Sequence, residues 1–318
     1  MSFNLANIET TKGVTKSPLV VLSGTAGVGK STLCAGINDR VFLRIEDGLV
    51  IPDVPTFPLV ETFDQVLEAI DTLQKEEHDF GCLVIDSIDV MEPLIWEKVC
   101  EEEHADSIEK VGGGYGKGYI AAAEHWRKLC LKLAKLRDTK GITIVLISHV
   151  QIKKFEAPGE PGVDRYEIKL HKAASAIVQQ WADMVLFAQF KFSLIKEDAG
   201  WGKTRTRGTG RAERVINTVE AAGWVAKNRY GLPEEIPFKK EGTWDEIEKL
   251  MVGAPNEGLS ISVAGESAAA GIAGAAGFAR ATTAHADIGR ATREARAAFA
   301  VAAGLASTAA GHAGSAGA

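Results

Sequence analysis

A glycine-rich segment near the start of the chain has the residue types that bind phosphate groups. Gly24-Thr-Ala-Gly-Val-Gly-Lys30-Ser31 fits the pattern GxxxxGK[ST], and an apolar run at residues 19–23 comes directly before it. Glycines let the backbone curl so that successive N–H groups point at an anion. The alternative is an ordinary glycine-rich turn, but a strand before the motif and a helix after it favour a phosphate loop.

Each side chain of this phosphate loop, residues 24–31, has an expected role. Lys30 reaches the β- and γ-phosphates of a nucleoside triphosphate, and Ser31 ligates Mg²⁺. Thr32 adds an adjacent hydroxyl group in the first helical turn. We therefore expect ATP and Mg²⁺ as ligands. The predicted nucleotide contacts in this region are Gly24, Thr25, Ala26, Gly27, Val28, Gly29, Lys30, Ser31 and Thr32.

Acidic residues follow two other apolar runs. Asp86 ends the run at 82–86, the form of a Walker B element whose carboxylate holds Mg²⁺, although an aspartate at a strand end is also a common turn former. Glu46 and Asp47 follow the run at 41–45. Glu46 is the predicted general base that polarises the attacking water, and Asp47 before Gly48 has the pattern of a turn residue; the reverse assignment stays open.

A polar residue also follows the apolar run at 142–147. His149 stands at a position from which a side chain can sense the γ-phosphate and signal to the segment that follows. The alternative is a histidine that caps the strand end through a backbone hydrogen bond. We predict the sensor role and group His149 with the catalytic residues Glu46 and Lys30.

The elements that hold these residues alternate along the chain. Buried strands are predicted at 19–23, 41–45, 82–85, 142–147 and 184–188, with amphipathic helices between them. Thr62 and Gln65 have the spacing of a capping box at the start of one helix. Alternation of this length predicts an α/β fold with a mostly parallel central sheet, covered by helices on both faces. Ligands of such a sheet bind at the carboxyl ends of its strands.

Composition divides the chain near residue 252. Residues 1–252 have the pattern of an ATPase core, whereas residues 253–318 form a low-complexity Ala/Gly-rich tail, predicted to be disordered or partly helical. The formal charge of −6 argues against a wholly basic nucleic-acid coat. Four separated cysteines and the lack of a long apolar run favour a soluble protein of the reduced cytoplasm, with no membrane partner.

Several blocks together resemble a known group of proteins. The phosphate loop, IEDGL, LVIDSID, GGGYGKGY, LISHVQI and KNRYGLPEEIP occur in this order. The sequence resembles the phage-type RecA-like ATP-binding proteins, including the Sak-type single-strand annealing recombinases, over residues 4–250. The resemblance implies a RecA-like P-loop NTPase core in a phage or prophage protein that acts in the cytoplasm of a bacterial host. Its most specific parts are the GYGKGY and KNRYG blocks.

The resemblance also implies two DNA-binding segments. The first covers residues 101–118, where Tyr115 stacks on bases and Lys117 contacts phosphate. The second covers about 153–172 and contributes Lys153, Lys154 and Arg165. Both segments also have the composition of ordinary exposed loops. The near balance of charges in the second segment suits weak or nucleotide-gated binding of single-stranded DNA.

The KNRYG block resembles the KNRFG block of RadA, with tyrosine in place of phenylalanine. The resemblance implies that Lys227 and Arg229 complete the nucleotide site of a neighbouring subunit in a homo-oligomeric ring or filament. The predicted function is a DNA-dependent ATPase of phage-type recombination that binds single-stranded DNA, promotes annealing or strand pairing, and works with a single-strand-binding protein. The alternatives are a nucleotide-gated DNA-binding module with little turnover, a helicase motor like DnaB or RadA, and a small-molecule phosphotransferase.

A further basic stretch, from Lys203 to Arg214, lies between two predicted strands. Its arginines either line a path for a single strand or form a solvated hairpin tip, and we leave them out of the predicted sites.

Overall fold

The computed structural model describes residues 16–48, 53–156, 161–198 and 204–253, with the backbone alone for 192–198, 204–212 and 252–253. The strands are β1 (Leu19–Gly24), β2 (Arg40–Arg44), β3 (Cys82–Asp86), β4 (Thr143–Phe155), β5 (Val163–Ile168), β6 (Met184–Asp198), β7 (Thr204–Asn217), β8 (Lys227–Asn228) and β9 (Glu235–Pro237). The helices are α1 (Lys30–Ala35), α2 (Phe63–Lys75), α3 (Ile88–Glu102), α4 (Lys117–Lys140), α5 (Lys172–Trp181) and α6 (Thr243–Gly253).

These strands form one sheet in the order β2-β3-β4-β1-β6-β7-β9, with β5 paired to β4 and β8 paired to β6. The central pairs from β2 to β6 are parallel, and β7, β8 and β9 are antiparallel additions. The chain moves from β1 to the far edge at β2 and later returns to place β6 on the other side of β1. Ligands of open α/β sheets bind at such a switch point, beyond the carboxyl end of the strand.

The two faces of the sheet are buried against different helices. Alternate strand residues such as Val21, Leu43 and Ile85 pack with the apolar faces of α2, α3, α4 and α5. Their neighbours, such as Leu22 and Val84, pack with α1 and α6 on the other face. Because successive side chains of a strand point to opposite faces, strands buried on both sides read as the continuous apolar runs seen in the sequence. The predicted mostly parallel sheet with helices on both faces is confirmed.

Local signals fix several helix boundaries. At the start of α2, the Thr62 side chain accepts a hydrogen bond from the Gln65 N–H at 3.3 Å, and the Gln65 side chain accepts from the Thr62 N–H at 3.3 Å. The predicted capping box is therefore confirmed. Gly116 and Gly141 flank α4 with positive φ angles of 75° and 71°, a conformation that glycine adopts without strain.

The structure differs from the predicted elements in two regions. We expected β4 to stop near residue 147, with a loop from residue 153, but β4 continues to Phe155 because its second half pairs with the antiparallel β5. Likewise, β6 continues to Asp198 because β7 pairs along it, so the basic stretch ending at Arg214 lies mostly within a strand. The predicted tail, residues 253–318, lies outside the described residues apart from Gly253 at the end of α6.

Within the described part of the chain, no helix has the length and apolar character needed to cross a membrane.

Candidate nucleotide-binding site

The phosphate loop connects the carboxyl end of β1 to the first turn of α1. Gly27 and Gly29 adopt positive φ angles of 71° and 103°, which residues with a side chain rarely adopt. Gly24 is required for another reason: a Cβ atom there would lie 2.4 Å from the carbonyl oxygen of Ala188 on β6. The sequence therefore forms this tight loop because glycine occupies the positions where a side chain would be strained or would clash.

Lys30 places its ammonium group over this loop. The Nζ atom donates hydrogen bonds to the carbonyl oxygens of Gly24 at 3.1 Å and Thr25 at 3.2 Å, and the residue is buried. Burial lowers the pKa of Lys30, and nearby carboxylates, Asp86 foremost, partly oppose that shift. The side chain is thus a cation held beside the amides that would receive phosphate oxygens.

Ser31 and Asp86 meet at the same end of the sheet. The Ser31 hydroxyl donates to Oδ2 of Asp86 at 2.6 Å, and Asp86 is buried. Burial raises the pKa of Asp86, while the hydrogen bond from Ser31 opposes the shift and the charge of Glu46 adds to it. A hydroxyl and a carboxylate oxygen are hard ligands of the kind Mg²⁺ uses beside nucleotide phosphates, so these residues fit the cation.

Glu46 follows β2 and lies next to the Walker B strand. β2 ends at Arg44, and the Ile45 N–H then donates to the carbonyl oxygen of Asp86 at 2.8 Å. This contact brings Glu46 to Ser87, whose hydroxyl group is 3.4 Å from the Glu46 carboxylate. Asp47 is exposed in the following turn. The geometry therefore favours Glu46 over Asp47 as the carboxylate that faces the site, and its role as general base stays a prediction.

His149 lies directly beside the phosphate loop, since it is the register partner of Gly24 across the β1–β4 pair. Its ring does not cap the strand end, which was the alternative interpretation. Instead, Nδ1 of His149 is 3.1 Å from Oδ2 of Asp89, and the His149 N–H donates to Oδ1 of Asp89 at 3.0 Å. A buried carboxylate therefore orients the candidate sensor.

Asp89 was missed by the sequence analysis. Its side chain is 2% exposed and also lies 3.7 Å from the ammonium group of Lys169. Burial raises the pKa of Asp89, but the hydrogen bonds from the ring and backbone of His149 outweigh burial, and the net shift is downward. The signal was present in the motif Asp86-Ser-Ile-Asp89, which places a second carboxylate in the first turn of α3.

Glu92 lies one helical turn after Asp89 on α3 and was also missed by the sequence analysis. Asp86, Asp89 and Glu92 together form an acidic row. The backbone N–H of His171 donates to its two carboxylate oxygens at 2.9 and 3.1 Å. Burial raises the pKa of Glu92 to about 7, the hydrogen bond from His171 opposes this shift, and the charge of Asp89 adds to it. The row links the nucleotide edge of the sheet to the start of α5.

The Gly-rich block, residues 112–119, contacts the start of α5. The ring of Tyr119 stacks on the ring of His171 with centroids 4.3 Å apart and an interplanar angle of 10°. Tyr115 is 98% exposed, and Lys117 donates from Nζ to the carbonyl oxygen of Gly112 at 2.8 Å. Tyr115 is thus presented to solvent beside a lysine, on a block fixed to the rest of the fold by Tyr119.

The other predicted DNA-binding residues lie on the hairpin formed by β4 and β5. Lys154 is exposed, and Lys153 lies 3.6 Å from the carboxylate of Glu167. Arg165 differs from both lysines, because it is buried, pairs with Glu220 and lies over the ring of Phe155 at 4.5 Å. Its guanidinium group holds the hairpin in place and is not presented at the surface.

Lys227 and Arg229 lie away from the phosphate loop of their own chain. β8 pairs with the amino end of β6, where Asn228 faces Met184, whereas the phosphate loop is at the carboxyl edge. Lys227 donates from Nζ to carbonyl oxygens at the end of α5, including that of Ala182 at 2.5 Å. Arg229 donates to Asp183 at 3.1 Å. These two residues therefore cannot complete the site of their own subunit.

A family model described as an AAA domain matches residues 16–230 of the chain. The chain belongs to this AAA domain family. The match includes β1, the phosphate loop, the Walker B strand and His149, so the AAA domain has the site of a nucleotide-binding P-loop ATPase, a class that typically uses a divalent metal ion. No match was found among curated proteins.

Proposed function

We propose that this AAA domain protein is a DNA-dependent ATPase of phage-type recombination, similar to the Sak-type single-strand annealing proteins. It binds single-stranded DNA and promotes annealing or strand pairing in the cytoplasm of a bacterial host, together with a single-strand-binding protein. The observation that carries the proposal is the stacking of Tyr119 on His171, which joins the Gly-rich block to the row of carboxylates beside the phosphate loop.

The hydrolytic part of the proposal follows from the geometry of the site. Lys30 and the loop amides bind the β- and γ-phosphates, and Ser31 and Asp86 hold Mg²⁺, which when bound neutralises charge on the phosphate oxygens. Glu46 orients and deprotonates the attacking water. His149, held by Asp89, contacts the γ-phosphate from the neighbouring strand.

The DNA-binding part rests on exposed residues of the Gly-rich block and of the hairpin formed by β4 and β5. Tyr115 supplies a solvent-facing ring for base stacking, and Lys117 and Lys154 supply positive charge. Glu92 and His171 connect this surface to Asp89 and therefore to the sensor. In this proposal, the nucleotide state changes the position of the Gly-rich block through the contact of Tyr119 with His171.

The assembly is a homo-oligomeric ring or filament. Arg229 has a side chain 57% exposed at the edge opposite to its own phosphate loop, which supports a contact with the nucleotide of a neighbouring subunit. Lys227, from the same KNRYG block, has the same role in this proposal. Residues 1–252 form the ATPase core in this scheme, and residues 253–318 are an appendage whose removal leaves hydrolysis intact.

The deciding experiment measures ATP hydrolysis with and without single-stranded DNA for the wild type and Lys30→Ala. We expect stimulation by DNA in the wild type and no turnover in Lys30→Ala, because the ammonium group that holds the phosphates is gone. A wild-type rate that DNA does not change, together with no DNA binding in the presence of ATP, refutes the proposal.

A nucleotide-gated binding module with little turnover is a second candidate, favoured by the same Tyr119–His171 contact. Glu46→Gln separates the two functions, since it removes the general base and leaves the nucleotide contacts in place. Annealing that survives in Glu46→Gln supports the gated module, and annealing that is lost with turnover supports the ATPase. Unwinding of a forked duplex would instead indicate a helicase motor.

A further inference from the structure

Arg214 reaches the phosphate loop from a distant part of the chain. It lies on β7, and its Nη1 atom donates to the carbonyl oxygen of Val28 at 3.2 Å. A Cβ atom at Gly29 would lie 2.9 Å from the same Nη1 atom, so glycine at that position makes room for the guanidinium group. This arginine therefore lies against the loop that receives the phosphates.

The charge of Arg214 is not neutralised by a carboxylate among the described residues. Arg127, Arg137, Arg165 and Arg229 each pair with an aspartate or glutamate, whereas the described contacts of the Arg214 side chain are the Val28 carbonyl oxygen and the Phe238 ring, 4.6 Å from the guanidinium carbon. The aromatic face and the carbonyl oxygen orient the cation without cancelling its charge. A half-buried cation of this kind attracts an anion.

The position of Arg214 in the sheet indicates which end of a nucleotide it meets. Ser31 and Asp86, which would hold Mg²⁺ beside the terminal phosphates, meet on the side of β1 that faces β4 and β3. Arg214 lies on the other side of β1, beyond β6. A triphosphate chain whose terminal phosphate is on the first side has its α-phosphate and nucleoside toward the second.

A cleft lies between the first helix after the phosphate loop and the segment that follows Phe238. It has a volume of about 360 Å³ and lies between the exposed side of α1, including Thr32 and Gly36, and the segment from Lys239 to Trp244. This segment directly follows Phe238, the ring on which Arg214 lies. The volume is within the range of small-ligand sites, roughly 300–1,000 Å³.

We propose that Arg214 binds the α-phosphate of the nucleotide held by its own subunit, and that the cleft between α1 and Lys239–Trp244 takes the nucleoside. The proposal deepens the proposed function and rests on the part of it that concerns nucleotide binding at the phosphate loop; it does not depend on DNA. It also assigns an arginine that contacts the nucleotide to the same chain, whereas the sequence analysis predicted Arg229 of a neighbouring subunit.

The test is a comparison of Arg214→Gln with Arg127→Gln, a matched change at an exposed arginine that pairs with Glu124 on α4. Binding of ATP and of ADP, each with Mg²⁺, is measured by titration calorimetry. We expect Arg214→Gln to weaken both nucleotides by about 10- to 100-fold, because both have the α-phosphate and a charge-assisted hydrogen bond is lost. Arg127→Gln should bind both as the wild type does, and Arg214→Lys should fall between.

Two results would overturn the proposal. One is that Arg214→Gln binds both ATP and ADP with wild-type affinity, or that its affinity falls for ATP alone. The other is a lower melting temperature of the nucleotide-free variant with an unchanged nucleotide-induced shift, which would make Arg214 only a structural support of the loop. A failure of the proposed function gives a different result. In that case Arg214→Gln still loses affinity for nucleotide, but DNA does not change ATP hydrolysis by the wild type.

Discussion

The ring of His149 and the carboxylate of Asp89 form a pair beside the phosphate loop, with Nδ1 of His149 3.1 Å from Oδ2 of Asp89. The backbone N–H of His149 donates to the other oxygen of the same carboxylate at 3.0 Å. A carboxylate at Nδ1 sets the ring orientation and leaves Nε2 for the predicted contact with the γ-phosphate. The pair gives His149, the predicted sensor, a fixed orientation.

Asp89→Asn tests this orientation. We expect kcat for ATP to fall about tenfold, because the neutral amide holds the ring less firmly than the carboxylate does. The affinity for ATP should change less than threefold, since Asp89 does not contact the phosphate loop. Asp71→Asn, at a partly exposed aspartate of α2 that pairs with Lys132, is the matched control. An unchanged kcat in Asp89→Asn would show that His149 acts without this partner.

Asp86→Asn separates stability from function. Burial raises the pKa of Asp86, so its charged form is costly in the nucleotide-free protein. The variant should therefore unfold at the same denaturant concentration as the wild type or at a higher one, with a gain of up to about 1 kcal/mol. It should also lose the extra stabilisation that Mg²⁺ gives in the presence of ATP. A clear loss of stability without nucleotide would contradict this interpretation.

Glu92 should make stability depend on pH. Its pKa is about 7 in the folded protein and 4.5 in the unfolded chain, so the folded state binds more protons between these values. Stability from this group is therefore fully present below pH 4.5 and is lost as the pH rises to about 7.

Glu92→Gln keeps an acceptor for the His171 N–H and removes the titration. The difference in unfolding free energy between the two proteins should change by about 3 kcal/mol across that interval, as measured by denaturant titration at several pH values. Glu97→Gln, at an exposed glutamate of the same helix, should follow the wild type throughout. Parallel curves for Glu92→Gln and the wild type would refute the prediction.

Gly118 is a structural position inside the Gly-rich block. A Cβ atom there would lie 2.0 Å from the carbonyl oxygen of Ile108, a backbone atom that cannot move aside easily. Gly118→Ala should cost about 3 kcal/mol of unfolding free energy. Gly223→Ala is the matched control, because its Cβ atom would enter open space. Equal melting temperatures for the two variants would show that the contact with Ile108 relaxes without cost.

Tyr115 is suited to a test of DNA binding that leaves the fold unchanged. Because the side chain is 98% exposed, Tyr115→Ala should alter stability by less than about 0.5 kcal/mol. Its affinity for a single-stranded oligonucleotide should fall about tenfold through loss of stacking. Tyr115→Phe retains the ring and should bind like the wild type in fluorescence anisotropy. Equal affinity of Tyr115→Ala and Tyr115→Phe would remove Tyr115 from the DNA surface.

The sequence by itself determined the phosphate loop and the parallel core. Both depend on patterns of consecutive residues: glycines where positive φ angles and close approach occur, and apolar runs where a strand is buried on both faces. The capping box of Thr62 and Gln65 was readable for the same reason, since its two partners lie within one helical turn.

Only the tertiary structure decided which distant residues meet. Asp89 and His149, 60 positions apart, are joined because α3 begins beside the middle of β4, and Arg214 meets Val28, 186 positions away, because β7 returns along β6. The pairing of β8 with the amino end of β6 places Lys227 and Arg229 at the edge opposite to their own phosphate loop. Such contacts depend on strand order and direction, which local patterns do not encode.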